Sequence, residues 1–573
     1  MFAIAQNEVR KKVQVVPITD LANIKFTPEL LPINYSLAAL YDEILSQKES
    51  QTLQRGKVLF KNNQSQKIHQ DTLEISLLLN TCLHQIDRLS RESSDQENIH
   101  RLMVKISKMI LPHGNLFLSD PSVDDVTMNA LNNLFLAEKK KSLNQTRLIA
   151  ELGLSCIVIL RSFLPEDEEI LLENQVLTSL LAFTSESDPW TTASCLDFAN
   201  RLISLHRAQL FRQDFITETI LSSLIRPLFV ASRPKAITSS GYAAISSCTP
   251  REPYDFNAWN VKSKPWRLDT CYAVTVLSWA VRHIPQEAVT TAFHLIIPPL
   301  LILLDSPNTS IQLKGLQMLD DFVRKLTPKL LEQTGLGGVI EDAIHPILLY
   351  LPPITPLIES ATLLPAAYKA LFTLIEVRFP FPTRSGLGDQ DKDGQKQKLN
   401  CLTRLLRQSL IPAYTHTSHS SKSDPVIQKI ILDQIPPLVS ALGINCIAHL
   451  YALMPLVEDV LLDPFASAYP SLVFTALKAL EGIIIHAWPR LGNERRRMEV
   501  IRMLVSGWEK LREETGDSFE HPKKEVLEEF KIVGKLFVKA VTKAGEAKGL
   551  SSHLEPLFEA DNSLREVFSM SDG

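Results

Sequence analysis

Residues 291–326, TAFHLIIPPLLILLDSPNTSIQLKGLQMLDDFVRKL, decide the fold of this chain. The first half is apolar almost all round, which is typical of a helix buried between neighbours, and it stops at a turn and N-cap cluster at 305–308. The second half is amphipathic, with apolar positions spaced by three and four at Ile311, Gly315, Leu319, Phe322 and Leu326. The opposite face carries Lys314, Gln317, Asp321 and Arg324. The stretch therefore predicts one helical hairpin.

Prolines beside large aliphatic residues repeat this pattern along the chain. They stand at Pro298, Pro346, Pro412 and Pro455, at intervals of 48, 66 and 43 residues. The outer intervals are close to the roughly 40–47 residues of HEAT and armadillo repeats. The middle interval is long because it contains residues 379–398, whose Gly, Asp and Lys content predicts a flexible insertion. The pattern predicts an all-α protein, an α-solenoid of irregular HEAT/armadillo-like helical hairpins.

The rest of the chain extends this organisation to both ends. Residues 1–231 read as irregular helical repeats, with helices predicted at 73–89, 123–140, 146–163 and 168–183. A Pro- and aromatic-rich loop at 232–265 is expected to separate two helical halves. HEAT-like repeats are predicted at 266–378, and again at 399–573, where capping helices close the stack. The last long helix is predicted to turn one face inward at Leu527, Phe530, Val533, Phe537 and Val541.

Composition argues against several classes of function. Lys and Arg total 60 and Asp and Glu total 64, a net charge of -4, which provides no field to gather nucleic acid or anionic lipid. The first residues, MFAIAQNEVRKKVQVV, do not resemble a secretory signal, and no apolar run is expected to reach the ~20 residues of a membrane span. We expect a protein of the cytoplasm and nucleus. The seven cysteines are scattered and are predicted to be reduced, buried thiols.

Three local patterns could carry chemistry, and each has a simpler interpretation. The D-x-D-x-D-G run at 389–394 begins like a calcium loop, but its twelfth position is Asn400 instead of Glu. His416 and His419 have no Cys or carboxylate pair beside them, which favours a polar loop at 415–425 over a metal site. The glycines at 335–338 favour a helix stop followed by a helix start. We predict no catalytic, metal or cofactor residues and no cofactor, although an enzyme without a linear motif stays open.

Two segments are candidates for binding other proteins. The loop around 249–266, TPREPYDFNAWNVKSKPW, offers Arg251, Tyr254, Trp259 and Trp266, and Trp, Tyr and Arg dominate the binding energy of interfaces. The alternative is that its tryptophans are buried and fasten neighbouring repeats together. The basic run Arg495, Arg496 and Arg497 could bind a phosphate or an acidic partner, or could be a solvated helix face.

The second half of the chain, from about residue 240 to 545, resembles the smaller Tti-type subunit of the TTT co-chaperone complex. The resemblance lies in the loop that ends KPW at 264–266, the helix YAVTVLSWAVRHI at 272–284, and HAWPRLGNERRRMEVIRMLVSGWEKL at 486–511. It implies a non-catalytic subunit that binds a Tel-type subunit and a larger Tti-type solenoid. With the Hsp90 machinery, that assembly matures phosphatidylinositol-kinase-related kinases. A karyopherin-like or trafficking adaptor that binds protein cargo is the alternative with the same fold.

Overall fold

The computed structural model of the chain describes residues 1–17, 30–46, 62–90, 95–113, 129–165, 171–230, 234, 236–238, 240–244, 266, 270–380, 389–419, 424–513 and 520–568. These residues are overwhelmingly helical. Among them, the strand pairing is limited to a two-residue parallel pair, β1 (Tyr35–Ser36) with β2 (Leu89–Ser90), and one isolated bridge, Ile237 to Ala243. The chain divides into two compact units, Met1–Leu326 and Thr327–Gly573.

The first unit contains helices of very different length. They are α1 (Ala3–Val15), α2 (Leu37–Leu40), α3 (Asn62–His84), α4 (Asp95–Met109), α5 (Asn129–Ser162), α6 (Asn174–Leu181), α7 (Ala193–Leu205), α8 (Arg207–Leu210), α9 (Arg226–Phe229), α10 (Ala273–His283), α11 (Gln286–Leu304) and α12 (Thr309–Val323). A π-helical segment, Phe215–Ile225, runs directly into α9. Helix α3 packs on α5, which also packs on α4 and α7.

The second unit is a further series of packed helices. They are α13 (Pro328–Thr334), α14 (Leu336–Ile344), α15 (Leu357–Arg378), α16 (Asp389–Arg404), α17 (Ile411–His419), α18 (Pro425–Leu432), α19 (Ile435–Leu442), α20 (Leu450–Leu461), α21 (Pro470–Leu491), α22 (Glu494–Glu513), α23 (Glu520–Lys543), α24 (Ala547–Ala560) and α25 (Leu564–Phe568). Helix α21 packs on α19, α20 and α23, so it lies at the centre of this unit. Both units are built from packed helical hairpins, which confirms the all-α solenoid class.

The hairpin predicted at 291–326 is confirmed. Helices α11 and α12 pack on each other, and Asn308 caps α12 by accepting a hydrogen bond from the Ile311 amide at 3.1 Å. The Gln312 side chain donates to the Leu304 carbonyl at 3.0 Å and so links the start of α12 to the end of α11. The predicted helix stop at Gly335 is also confirmed, because this residue ends α13 at φ 68°, a left-handed conformation that glycine adopts without strain.

The four prolines of the repeat pattern occupy helices in three different ways. Pro298 and Pro455 lie inside α11 and α20, and Pro346 lies at the start of a 3-10 segment, His345–Leu349, that prolongs α14. Pro412 lies near the start of α17, directly after a π-helical segment, Leu405–Leu410, that joins α16 to α17. Since the first turn of a helix has no use for the N–H that proline lacks, Pro412 fits the start of α17.

The expectation that no segment reaches the length and hydropathy of a membrane span is wrong. Among the described residues, five helical stretches satisfy that criterion by length and composition, and the most apolar is α11, with a mean hydropathy of 1.8. Two thirds of that helix is buried against neighbouring helices. A helix that packs on several sides is apolar all round, as a membrane-spanning helix is. Mean hydropathy alone therefore does not distinguish a buried helix from a membrane span.

Two further predictions about the helices are wrong in detail. The segments 123–140 and 146–163 are not separate helices, because residues 129–162 form the single 34-residue helix α5. The insertion at 379–398 is not wholly a loop, because its residues from Asp389 onward form the first turns of α16. The calcium-like run at 389–394 therefore lies in a helix. His416 and His419 likewise lie in α17 and not in a loop.

The loop at 232–265 does not separate the compact units. Helix α10 follows the loop, yet it packs on α6 and on the π-helical segment Phe215–Ile225, which precede it. The division falls instead between Leu326 and Thr327. The sequence predicted an irregular loop but did not reveal that α10 packs on segments that precede it.

Candidate protein-interaction surfaces

Trp266 is the one described member of the predicted aromatic loop cluster. Its side chain is 1% exposed and its ring stacks on Phe229, with centroids 5.2 Å apart and planes 16° from parallel. Phe229 ends α9 just before the segment predicted to be a loop, so this contact joins the residues on either side of that segment. The structure thus favours the fastening interpretation for Trp266, which is not available to a partner. Arg251, Tyr254 and Trp259 lie outside the described residues.

Arg497 is an interior residue despite its position in a basic run. It is 4% exposed and donates to the Gly492 carbonyl at 3.0 Å and to His553 Nδ1 at 3.3 Å. Its guanidinium also lies 3.6 Å from the Glu546 carboxylate. These contacts hold the start of α22 against α24, so Arg497 stabilises the second unit and does not face a partner.

The other two arginines of the run share one carboxylate. Arg496 binds Glu499 at 2.6 Å with 19% of its side chain exposed, whereas Arg495 approaches the same carboxylate at 3.3 Å with 78% exposed. Only Arg495 therefore presents its charge to solvent. The run is neither a continuous basic patch nor a fully solvated face.

A buried ion pair in the first unit was not visible in the sequence. Lys314, predicted on the polar face of α12, pairs with Asp188, whose side chain has no exposure. Thr275 of α10 donates to the same carboxylate at 2.5 Å. Burial raises the pKa of Asp188 above its usual range, and Lys314 and Thr275 only partly oppose that shift. These residues tie together segments that precede and follow the loop at 232–265.

A second buried polar cluster surrounds Glu341 in α14. Arg404 binds this carboxylate at 3.1 Å and Cys401 Sγ donates to it at 3.3 Å. His345 lies 3.5 Å from Glu341 through Nε2 and 2.8 Å from Ser409 Oγ through Nδ1. Burial acts to raise the pKa of Glu341, but His345, Cys401 and Arg404 outweigh it and hold the pKa below its usual range.

The order serine, histidine, glutamate resembles the arrangement of a hydrolytic triad, but it cannot act as one. Ser409 is 1% exposed and His345 is 7% exposed, so a substrate carbonyl has no approach to the serine oxygen. The distance of 3.5 Å between His345 and Glu341 is also too long for the orienting hydrogen bond. This cluster is a structural tie between α14, with the 3-10 segment that follows it, and α16, with the π-helical segment Leu405–Leu410.

An exposed apolar segment connects the 3-10 turn after α14 to the start of α15. Leu349 is 47% exposed, Ile354 92%, Leu357 38% and Ile358 80%. The ring of His416 in α17 donates to the Pro352 carbonyl at 3.0 Å and so holds the segment on the second unit. Aliphatic side chains clustered on a surface in this way are typical of a protein contact. Sequence reasoning missed this segment, although its signal, large apolar residues between closely spaced prolines, is present at 349–358.

A groove in the second unit combines apolar and acidic side chains. It has a volume of about 480 Å³ and its lining includes Tyr414 of α17, Asp459 of α20, Asp463 and Leu472 of α21. Phe465, which is 75% exposed, follows one of the lining residues directly in sequence. Burial raises the pKa of Tyr414, and the carboxylates of Asp459 and Asp463 raise it further. We refer to this feature as the acidic groove.

Within the described residues, the buried polar clusters hold helices together. The accessible features are the exposed apolar segment and the acidic groove. This fold places the chain in the class of helical-hairpin repeat proteins. Residues 176–468 match the family model described as the Tti2 family. The match covers just over half of the chain, and the chain belongs to the Tti2 family.

Solved structures also match the chain, at low similarity. An engineered protein matches 86% of this chain over 96% of its own length, with 14% identity and a TM-score of 0.30. A mutant of Kap121p matches 94% of this chain with 13% identity and a TM-score of 0.33. The chain spans about half the length of that Kap121p chain, of which 53% is covered. Similarity at this level carries no conclusion about function.

Proposed function

We propose that this chain is a non-catalytic scaffold subunit of a TTT-type co-chaperone complex that supports the maturation and stability of phosphatidylinositol-kinase-related kinases. The observation that carries the proposal is the family match over residues 176–468. That range contains the exposed apolar segment at 349–358 and most of the acidic groove, so the accessible surfaces lie within the part of the chain that defines the family.

The partners in this proposal are a Tel-type subunit and a larger Tti-type solenoid, with the Hsp90 machinery and the kinases bound indirectly. An exposed isoleucine such as Ile354, at 92% exposure, gains free energy when a partner removes it from water. The proposed location is the cytoplasm and nucleus.

Rapid depletion of the chain tests the proposed role. A degron-tagged chain is removed within an hour, and newly made kinases of this class are followed by pulse labelling alongside unrelated protein kinases. We expect the labelled kinases of this class to decay faster while their messenger RNA levels and the unrelated kinases stay unchanged. Equal decay with and without the chain contradicts the proposal.

A further inference from the structure

Helices α21 and α23 of the second unit lie side by side, and two contacts fix their alignment. Lys478 Nζ lies 3.0 Å from the Glu529 carboxylate, and Lys543 Nζ lies 4.7 Å from the centroid of the Trp488 ring. Residue numbers rise along both helices from the first contact to the second, so the helices run parallel. Lys478 is 40% exposed and Lys543 is also exposed, so the edge that joins the two contacts faces solvent.

Aliphatic side chains lie along this edge between the two contacts. Steps of three and four residues lead from Lys478 to Ile485 on α21. The same steps lead from Glu529 to Ile532 and Leu536 on α23. Ile485 is 48% exposed, Ile532 is 49% exposed and Leu536 is partly exposed. A groove between two helices that leaves aliphatic side chains in water is typical of a surface that binds the apolar face of a partner segment.

Basic side chains border the aliphatic ones. Lys535 and Lys539 follow Ile532 on α23 at steps of three and four residues. Arg490, which is exposed, stands near the end of α21. In the part of the chain that the structure describes, no ion pair, hydrogen bond or ring contact engages the side chains of Lys535, Lys539 or Arg490. Their charges are therefore available to carboxylates of another molecule.

The stability of α23 does not account for its row of lysines. Helices favour cations near the C-terminus, but this effect falls off within the last turn, where only Lys543 of the row stands. Lys535, Lys539 and Lys543 are spaced by four residues, a spacing at which like charges on a helix repel. Carboxylates of a partner would turn this repulsion into attraction. The charge of the edge therefore matches an acidic occupant.

The shape of the edge favours a protein segment over an anionic lipid surface. Two parallel helices form a groove between them, which a narrow segment can enter and which a flat membrane bridges without reaching its floor. Ile485 and Ile532 are only half exposed. They therefore lie in the groove and do not protrude as the apolar residues that enter a bilayer do.

We propose that the edge between α21 and α23 docks an acidic amphipathic segment of a partner subunit. We call this edge the basic seam and define it by Ile485, Ile532, Lys535, Leu536 and Lys539. The inference rests on the proposed function, because it takes the occupant to be part of another subunit of the complex. Aliphatic residues of the segment pack on Ile485 and Ile532. Its Asp or Glu side chains pair with Lys535 and Lys539.

Peptide binding to the full chain tests the chemistry of the basic seam. The probe is a fluorescein-labelled peptide that repeats Leu-Glu-Glu-Leu-Leu-Glu-Glu three times, compared by anisotropy with the peptide in which Lys replaces Glu. We expect the Glu peptide to bind at least about tenfold more tightly, because its carboxylates meet the lysines of the seam. Equal binding of the two peptides overturns the proposal.

Matched lysine variants separate the seam from general charge. Lys535→Gln with Lys539→Gln is expected to weaken binding of the Glu peptide by about tenfold. The melting temperature of this variant should not fall, because the substitutions relieve repulsion within α23. Lys140→Gln with Lys141→Gln removes two exposed charges from α5 and is expected to leave peptide binding unchanged. An equal loss of binding in both double variants overturns the proposal.

Isoleucine variants test the apolar part of the seam. Ile485→Gln with Ile532→Gln is expected to weaken binding of the Glu peptide by about fivefold, since the leucines of the peptide lose their apolar contacts. Ile4→Gln with Val15→Gln is the control, because it replaces two apolar residues of α1 that are 70% and 82% exposed. The control variant should bind the peptide as the wild-type chain does. Unchanged binding by the Ile485→Gln, Ile532→Gln variant overturns the proposal.

Sedimentation with vesicles tests the lipid alternative. The vesicles contain phosphatidylcholine with about one third phosphatidylserine, which gives them a negative surface potential. We expect the wild-type chain to remain in the supernatant. Sedimentation of the wild-type chain that is lost in the Lys535→Gln, Lys539→Gln variant overturns the proposal in favour of a lipid surface.

Copurification of the Tel-type and larger Tti-type subunits distinguishes failure of this inference from failure of the proposed function. We expect the wild-type chain to recover both subunits, and the Lys535→Gln, Lys539→Gln variant to recover at least about threefold less of one of them in about 150 mM salt. Equal recovery by both proteins overturns the basic seam as a docking site but leaves the scaffold role standing. Recovery of neither subunit by the wild-type chain overturns both.

Discussion

Tyr368 lies on α15 with its ring fully buried, and among the described residues its hydroxyl has no hydrogen-bond partner. Phenylalanine keeps the ring and removes a polar group whose burial is unfavourable. We expect Tyr368→Phe to raise the free energy of unfolding by about 1 kcal/mol. The melting temperature of the second unit should then rise by about 2 °C in scanning calorimetry. A lower melting temperature would show that the hydroxyl is satisfied in solution.

Substitution of Asp188 tests the contribution of the buried ion pair to the stability of the first unit. Asp188→Asn keeps a hydrogen-bonding group for Thr275 but removes the charge that pairs with Lys314. Breaking a buried pair from one side is expected to cost about 3 kcal/mol. Adding Lys314→Met should restore most of that loss, because the ammonium that has lost the Asp188 carboxylate is then gone. Calorimetric melting curves of the two variants measure both effects, and an unchanged curve for Asp188→Asn contradicts the role of the pair.

The pKa of His206 predicts how the stability of the first unit depends on pH. Burial lowers the pKa of His206 from 6.5 to about 4, and the neighbouring Arg161, whose Nε donates to His206 Nε2 at 3.2 Å, lowers it as well. Between pH 6.5 and 4 the unfolded chain binds a proton that the folded chain does not. The free energy of unfolding should therefore fall as the pH is lowered through this range.

The variant His206→Gln keeps a side chain that can accept from Arg161 and cannot take up the proton. Its melting temperature should depend less on pH between 6.5 and 4 than that of the wild-type protein, measured in buffers of equal ionic strength. The slope should not vanish, because burial also lowers the pKa of His283 and His449. Identical slopes for the two proteins would contradict the assignment.

The residues that sequence reasoning misplaced are those whose partners lie far along the chain. Lys314 matched the polar face of α12, but α12 also packs on α10, and its partner Asp188 is 126 residues away. The sequence likewise placed Arg497 in a basic run, whereas its guanidinium is bound to His553 of α24. Local periodicity locates one buried face of a helix, and a helix that packs on two sides has a second face that only the fold reveals.

At the scale of elements, close packing of α23 against α25 depends on Gly534. A Cβ atom at this position would lie 2.3 Å from the Val567 carbonyl oxygen and 2.6 Å from its Cγ1. Gly534→Ala should therefore displace α25 and cost about 1–3 kcal/mol. Hydrogen exchange of residues 564–568 measures the displacement directly, and unchanged protection there would contradict it.

Gly338 provides the matched control for that substitution. It lies in α14, and no atom lies within 4 Å of the position that its Cβ would occupy. Gly338→Ala should raise the free energy of unfolding by about 0.5 kcal/mol, because alanine restricts the unfolded chain more than glycine does. Glycine-to-alanine substitution is thus expected to lower the melting temperature at position 534 and to raise it at position 338.

Elements with strong periodicity were predictable from the sequence. The hairpin of α11 and α12 is confirmed, and of the five positions predicted to face inward on α23, Phe530, Val533, Phe537 and Val541 are buried. The polar run at 389–398 was misread because Asp, Gly and Lys resemble a linker in composition. Lys and Gln are nevertheless good helix formers, and the helical second half of α16 extends back through them.

At the scale of the whole molecule, hairpin stacking was predictable but the division into units was not. Proline spacing follows from the repeat itself, whereas the boundary between Leu326 and Thr327 depends on which helices pack together. The stacking of Trp266 on Phe229 and the pair of Asp188 with Lys314 join both sides of the loop at 232–265. The acidic groove was missed for the same reason, since its lining comes from segments between residues 414 and 472.

The proposed role makes this chain a scaffold subunit that exists in the cell as part of a larger assembly. The most direct measurement is size-exclusion chromatography of the chain, tagged at its own locus and expressed at its natural level, with mass spectrometry of the fractions. We predict that it elutes far above its own mass of 64.4 kDa, together with a Tel-type subunit and a larger Tti-type subunit in comparable amounts. Elution of the chain alone, at the size of a 64.4 kDa protein, would contradict the claim.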